Sequence, residues 1–115
     1  MDLLFVYGTL RSEFSNRHAL LLRERAELIG PAETSGSIFW IADYPGYRPD
    51  PPGLVRGELY RLHDPDAMLA ALDRYEGSDF ERTEVTVGGA GAWIYRYRSQ
   101  PPEGARISSG DFCRQ

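Results

Sequence analysis

Two short stretches of the chain hold residues whose types and spacing can do chemistry. The first is Tyr7-Gly8-Thr9-Leu10, at the end of an apolar run. A glycine there lets the backbone turn sharply and aim consecutive N–H groups at one point, a nest that binds an anion without a charged side chain. Arg11 follows and offers a cationic donor. The second stretch is Asp73-Arg74-Tyr75-Glu76-Gly77, where a helical pattern stops. A carboxylate in a last helical turn sits against the negative end of the helix dipole, at a cost of about 0.3–1 kcal/mol. Dipole and partial burial would both raise its pKa, as a general base requires. Each stretch also has an ordinary reading: a strand that ends in a glycine turn, and a solvated surface glutamate.

Other chemistries find no residues to carry them. Cys113, His18 and His63 stand at no usual metal-ligand spacing, so no metal site is expected. His63, beside a helix start, reads as a polar surface or capping group. A single cysteine allows no intramolecular disulfide, which fits a reducing compartment and an idle thiol. Phosphate-binding glycine loops of the G-x-x-x-x-G-K and G-x-G-x-x-G types are missing, as is a G-x-S-x-G elbow. The cluster Gly88 to Gly91 precedes a strand pattern, not a helix. No redox cofactor is suggested. The net charge of -4 disfavours nucleic acid and anionic membranes as partners. Trp40, Trp93, Tyr95 and Tyr97 would be the stacking surfaces of an RNA-binding barrel, but at this charge they read as core or rim packing. Met1 to Tyr7 carries an acid instead of a basic segment and stops at Gly8, too short for a signal peptide or a membrane span. A cytoplasmic protein is expected.

The elements that must position these residues follow from pattern. With 115 residues, 42% of them apolar and 26% charged, the chain is expected to form one domain over residues 1–115. Leu3 to Tyr7 predicts a central strand buried on both faces. Ser12 to Ser15 offer capping hydroxyls for a helix over Asn16 to Arg25, with Ala19 and Leu22 on its apolar face. Leu28-Ile29 and Ser37 to Ile41 are short strand candidates. Asp43 to Gly53, with four of the eight prolines, predicts a structured loop that borders the site. Val55 to Leu62 predicts a strand. Asp64-Pro65 starts a second helix, Met68, Leu69, Leu72 and Tyr75 continue it, and Gly77 stops it. Glu84 to Val87 and Ala92 to Tyr97 predict a hairpin across Gly88 to Gly91. The sum is an α+β domain: a small, mostly antiparallel β-barrel of about six strands with two flanking helices.

Taken in order, these pieces resemble the γ-glutamylcyclotransferase-like (AIG2-like) family. Leu3 to Arg11 is similar to its opening Y-G-S/T-L signature. Pro45-Gly46, then Val55-Arg56-Gly57-Glu58-Leu59-Tyr60, resembles its middle strand, and Leu72-Asp73 with Tyr75-Glu76-Gly77 resembles the segment of its catalytic glutamate. Ser109-Gly110-Asp111-Phe112 is similar to its terminal S-G-D-aromatic motif. The resemblance runs from Leu3 to Phe112. It implies that Glu76 is the acid/base and that the Tyr7, Gly8, Thr9 and Leu10 backbone binds the glutamyl head of a small-molecule γ-glutamyl substrate. It implies release of 5-oxoproline and a free amine without metal or cofactor. Many members carry a tyrosine two residues before the following arginine; here Phe80 precedes Arg82, without a hydroxyl. The alternative is a non-catalytic module that holds an amino-acid-like anion on the same loop.

Overall fold

The computed structural model describes residues 1–114. In chain order it runs β1 (Leu3–Val6), α1 (Arg17–Arg25), β2 (Ala26–Ser35), β3 (Ser37–Trp40), β4 (Pro45–Arg48), β5 (Leu54–Leu62), α2 (Pro65–Glu76), β6 (Phe80–Val87) and β7 (Ala90–Tyr97). The strands form one mixed sheet in the order β2-β5-β1-β7-β4-β3, with β6 on β7. Most pairings are antiparallel; β1 and β4 each run parallel to β7. The sheet curls so far that Thr34 of β2 donates its hydroxyl to the Thr86 carbonyl of β6 at 3.0 Å. The result is a half-barrel with two helices, as expected from the sequence.

The run Leu3 to Tyr7 is apolar throughout because both of its faces are buried. Leu4 and Val6 point into a core shared with Leu22, Leu69 and Leu72 of the helices. Phe5 and Tyr7 point the other way, into the curl, against Ile38, Val55 and Ile94. Each aliphatic side chain so buried contributes about 1.5–3 kcal/mol. Pairing along β7 then makes an opening. β6 occupies one edge of β7 over its full length, from Phe80 opposite Tyr97 to Val87 opposite Ala90. The other edge is shared: β1 meets it at Trp93 and β4 meets it at Arg96. Where β1 leaves and β4 arrives, the sheet splits, and the residues after β1 turn out of it.

Several boundaries differ from the sequence reading. Asn16 is the cap of α1, not its first residue, and its Oδ1 accepts from the Ala19 N–H at 2.9 Å; Ser12 to Ser15 lie before it. β2 is ten residues long, and Leu28 and Ile29 within it are exposed, because backbone pairing with β5 holds this strand in place of burial. β4 lies inside the expected loop Asp43 to Gly53. β6 begins at Phe80, four residues early, and its turn to β7 is only Gly88-Gly89, both at positive φ; with β4 added, seven strands form where about six were expected. α2 matches the reading at both ends: Asp64 caps it, Pro65 opens it and Gly77, at φ 76°, closes it. Tyr75 is the exception on its apolar face; it is exposed and stacks on His18 of α1 at 3.9 Å.

Candidate active site

The split in the sheet opens into a cavity of about 470 Å³, walled by Tyr7, Gly8, Thr9 and Leu10 on one side and by Tyr75 and Glu76 on the other. Thus the two stretches singled out in the sequence, nearly seventy positions apart, line one space. Asp43, Tyr44 and Pro45 border it, as expected of the proline-rich loop, and Asn16, Phe80 and Tyr95 complete the wall. A cavity of this size suits a small molecule.

The loop wall is made of backbone. Gly8 accepts from the Arg11 N–H at 3.1 Å, which closes a turn, while Thr9 and Leu10 have no acceptor for their N–H groups among the described residues. Gly8 is required by proximity: a Cβ there would stand 2.8 Å from Pro45 Cγ. The Tyr7 hydroxyl donates to the Tyr95 carbonyl at 2.6 Å and accepts from the Tyr47 N–H at 3.0 Å, so it is engaged within the fold. Burial, and after it the charge of Glu76, hold the Tyr7 phenol well above its usual pKa, which keeps it a donor.

Braces from distant segments fix this loop. Asn16 Nδ2 donates to the Thr9 carbonyl at 2.7 Å, so one side chain caps α1 and tethers the loop. Glu58 of β5 accepts from the Ser12 N–H at 2.6 Å and from the Ser12 hydroxyl at 2.5 Å. Arg11 pairs with Asp111 at 2.8 Å, with both side chains about nine-tenths buried, and with Glu13 at 2.8 Å. The expectation that Arg11 would serve a ligand is therefore corrected: its guanidinium ties the loop to the C-terminal segment. Gly57 allows β5 to approach β1, since a Cβ would strike the Val6 carbonyl. The middle and terminal motifs thus serve the first one.

Glu76 ends α2 and points a half-buried carboxyl at the cavity. It accepts no hydrogen bond from the described residues, and burial alone pushes its pKa up to about 7. A carboxyl removed from water with no compensating donor prefers its neutral form. Three residues back, Asp73 is paired in the opposite sense. Arg82 donates to it through Nε at 3.0 Å and Nη2 at 3.2 Å, and the Tyr95 hydroxyl donates to Oδ1 at 2.7 Å. Burial opposes ionisation of Asp73, but these bonds outweigh it and lower the pKa. The Arg82 guanidinium also lies 4.4 Å from the centre of the Trp93 ring.

Sequence reasoning named Glu76 and the loop, and the cavity brings them together. It missed Asn16 and Tyr95. Asn16 carried a signal, as an N-cap type immediately before a helical pattern; Tyr95 carried none, because an aromatic at an inward strand position reads as core. The aromatics considered for stacking have internal contacts: Trp40 with Phe112, Trp93 with Arg82, Tyr95 with Asp73 and Tyr97 with Phe80. No helix among the described residues is long and apolar enough to cross a membrane.

Known structures share this architecture. An uncharacterised protein of Pyrococcus horikoshii superposes with a TM-score of 0.80 at 26% identity, over 97% of this chain and 90% of that one. An AIG2-like protein of mouse does so with a TM-score of 0.71 at 28% identity, over 90% and 81%. The class they define is the AIG2-like half-barrel. The model of the γ-glutamyl cyclotransferase, AIG2-like family matches residues 4–114, and the chain belongs to that family. The γ-glutamylcyclotransferase family protein YtfP of Escherichia coli K12 is 34% identical over 113 residues, covering 95% of this chain and 94% of that protein.

Proposed function

We propose that the protein cyclises a γ-glutamyl amine or γ-glutamyl amino acid, releasing 5-oxoproline and the free amine, with Glu76 as general acid/base. The observation that carries this reading is the unpaired, half-buried Glu76 carboxyl facing the same cavity as the unengaged Thr9 and Leu10 N–H groups. A γ-glutamyl amide brings its own nucleophile. Its α-amine attacks the γ-carbonyl carbon, a C–N bond closes a five-membered ring, and the bond to the departing amine breaks. The chain must fold the substrate so that amine and carbonyl meet, and intramolecular reactions in good geometry reach effective molarities of about 10⁵–10⁸ M.

Protons must also move: the α-nitrogen loses two in passing from ammonium to lactam N–H, and the departing nitrogen gains two to leave as an ammonium. Glu76 takes each proton from the α-nitrogen and hands it to the leaving nitrogen. Against an α-amine of about 8, a glutamate at its ordinary value of 4.5 leaves roughly 5 kcal/mol opposing the first transfer. With Glu76 at about 7 the gap falls to roughly 1.4 kcal/mol. The backbone donors of the loop hold the glutamyl α-carboxylate or the carbonyl oxygen as charge develops on it.

Turnover in heavy-oxygen water separates this reaction from hydrolysis. Cyclisation leaves the glutamyl product unlabelled, and acetylation of the α-amine stops it. Labelled glutamate as the main product rejects the cyclotransferase reading. Binding of 5-oxoproline or a γ-glutamyl compound without turnover favours the non-catalytic module on the same loop.

A further inference from the structure

Glu76 is not the only acid in the last turn of its helix. Asp73 precedes it by three residues, a spacing that places two side chains about 5–6 Å apart on one helix face. Both sit at the end where the dipole is negative. Two ionised carboxylates so placed would repel, and each would raise the other's pKa. The fold treats them oppositely: Asp73 takes a two-pronged arginine and a phenol, and Glu76 takes nothing.

We infer that Asp73, Arg82 and Tyr95 form a positioning set for Glu76, which pins the last turn of α2 to β6 and β7 and cancels the charge that Asp73 would otherwise hold beside the base. This rests on the proposed role of Glu76. Tyr95 is the joint of the set. Its hydroxyl holds the helix end through Asp73, and its carbonyl receives the Tyr7 hydroxyl at the start of the anion loop. One residue of β7 therefore fixes the separation between the two walls. The Phe80 side chain, at the start of β6, contributes apolar packing against Tyr44 and Tyr97, so the polar side-chain duty beside Glu76 falls on Tyr95 and Arg82.

The ionisable groups around Glu76 are few. Tyr7 faces it from the loop that follows β1, Tyr95 from β7 and Tyr44 from the turn before β4. Asp43 and Asp79 lie beyond it around Tyr44. His18 of α1 stacks on Tyr75, with Arg17 near it. Arg98 donates to the Phe80 carbonyl at 3.2 Å. Arg82 reaches the helix end through Asp73. Of these, the Asp73–Arg82 pair is the one whose two halves can be removed separately with opposite electrostatic effects.

The test is a carbon NMR titration of the Glu76 carboxyl in the whole chain and in Asp73→Asn, Arg82→Gln and the double variant. Asp73→Asn leaves a free guanidinium and should lower the Glu76 midpoint by about a few tenths of a pH unit; Arg82→Gln leaves a free carboxylate and should raise it by a similar amount. The double variant should return near the wild-type midpoint. A merely structural pair would not give opposite signs. Unchanged midpoints, or shifts in one direction, overturn the inference. Tyr95→Phe keeps both charges and should lower kcat about tenfold with KM within about twofold, because a small displacement of a reacting group is costly; unchanged kcat removes Tyr95 from the set. Because the titration needs no turnover, a protein inactive on every γ-glutamyl compound would sink the proposed reaction while the midpoints still decide this inference.

Discussion

The two walls of the cavity are built by opposite means. The anion loop is held by long-range braces: Arg11 to Asp111, Ser12 to Glu58, Gly8 against Pro45. These contacts are buried or partly buried and bring together segments up to a hundred positions apart. The base wall is local. Glu76 hangs from the end of one helix, and its neighbours Asp73 and Arg82 pair across a nine-residue separation in a partly exposed position. A wall that must present backbone N–H groups needs rigidity, since a backbone cannot be repositioned by a rotamer. In the proposed reaction Glu76 must exchange protons, and its carboxyl has none of the donors that would lock it ionised. On that reading, stability is concentrated on one side of the cavity and reactivity on the other.

The sharpest way to break that contrast is to attack the loop brace. Arg11→Met leaves the buried Asp111 without its close cation, with only the exposed Arg114 at 4.0 Å, and should cost about 3–5 kcal/mol in urea unfolding. A loss below about 1 kcal/mol, typical of exposed pairs, would mean that the loop is not anchored from the C-terminal segment. Gly8→Ala is the next largest. Its Cβ meets Pro45 Cγ at 2.8 Å, so the loop must shift, at about 1–3 kcal/mol, and 5-oxoproline should bind more weakly by calorimetry. Unchanged affinity would separate the loop from ligand binding.

On the base wall the sign reverses. The folded chain holds Glu76 at about 7, above its ordinary value of 4.5. Below the ordinary value both folded and unfolded chains carry the proton, and nothing is lost. As pH rises toward 7 the unfolded chain releases it first, so stability falls, and above 7 the buried charge costs most. Glu76→Gln should therefore stabilise the protein at pH 8 by about 1–3 kcal/mol and have little effect at pH 4. A destabilised variant at pH 8 would show that the carboxylate has a structural partner.

Much of this arrangement was legible in the sequence because it is local. The buried strand, the glycine turn after it, the capped helix and the glutamate at its end are all patterns within a dozen residues. What was not legible depends on partners far away in the chain. Arg11 looked available beside an anion loop; only the fold shows Asp111 brought against it. Tyr95 looked like core, and its hydroxyl finds Asp73 twenty-two positions back. The length of β2 was hidden for another reason: with Leu28 and Ile29 exposed, its sequence carries no alternation, and pairing with β5 supplies the order. Two motifs that seemed separate signatures, around Glu58 and Asp111, prove to be supports for a third.

The most direct measurement is the pH dependence of kcat/KM for 5-oxoproline formation from a γ-glutamyl amine. With Glu76 as the base and its pKa held up by burial, the acid limb should bend near pH 7, and Glu76→Gln should show no turnover at any pH. An acid limb at or below the ordinary glutamate value of 4.5, or activity of the glutamine variant within a few-fold of wild type, would contradict the assignment of Glu76.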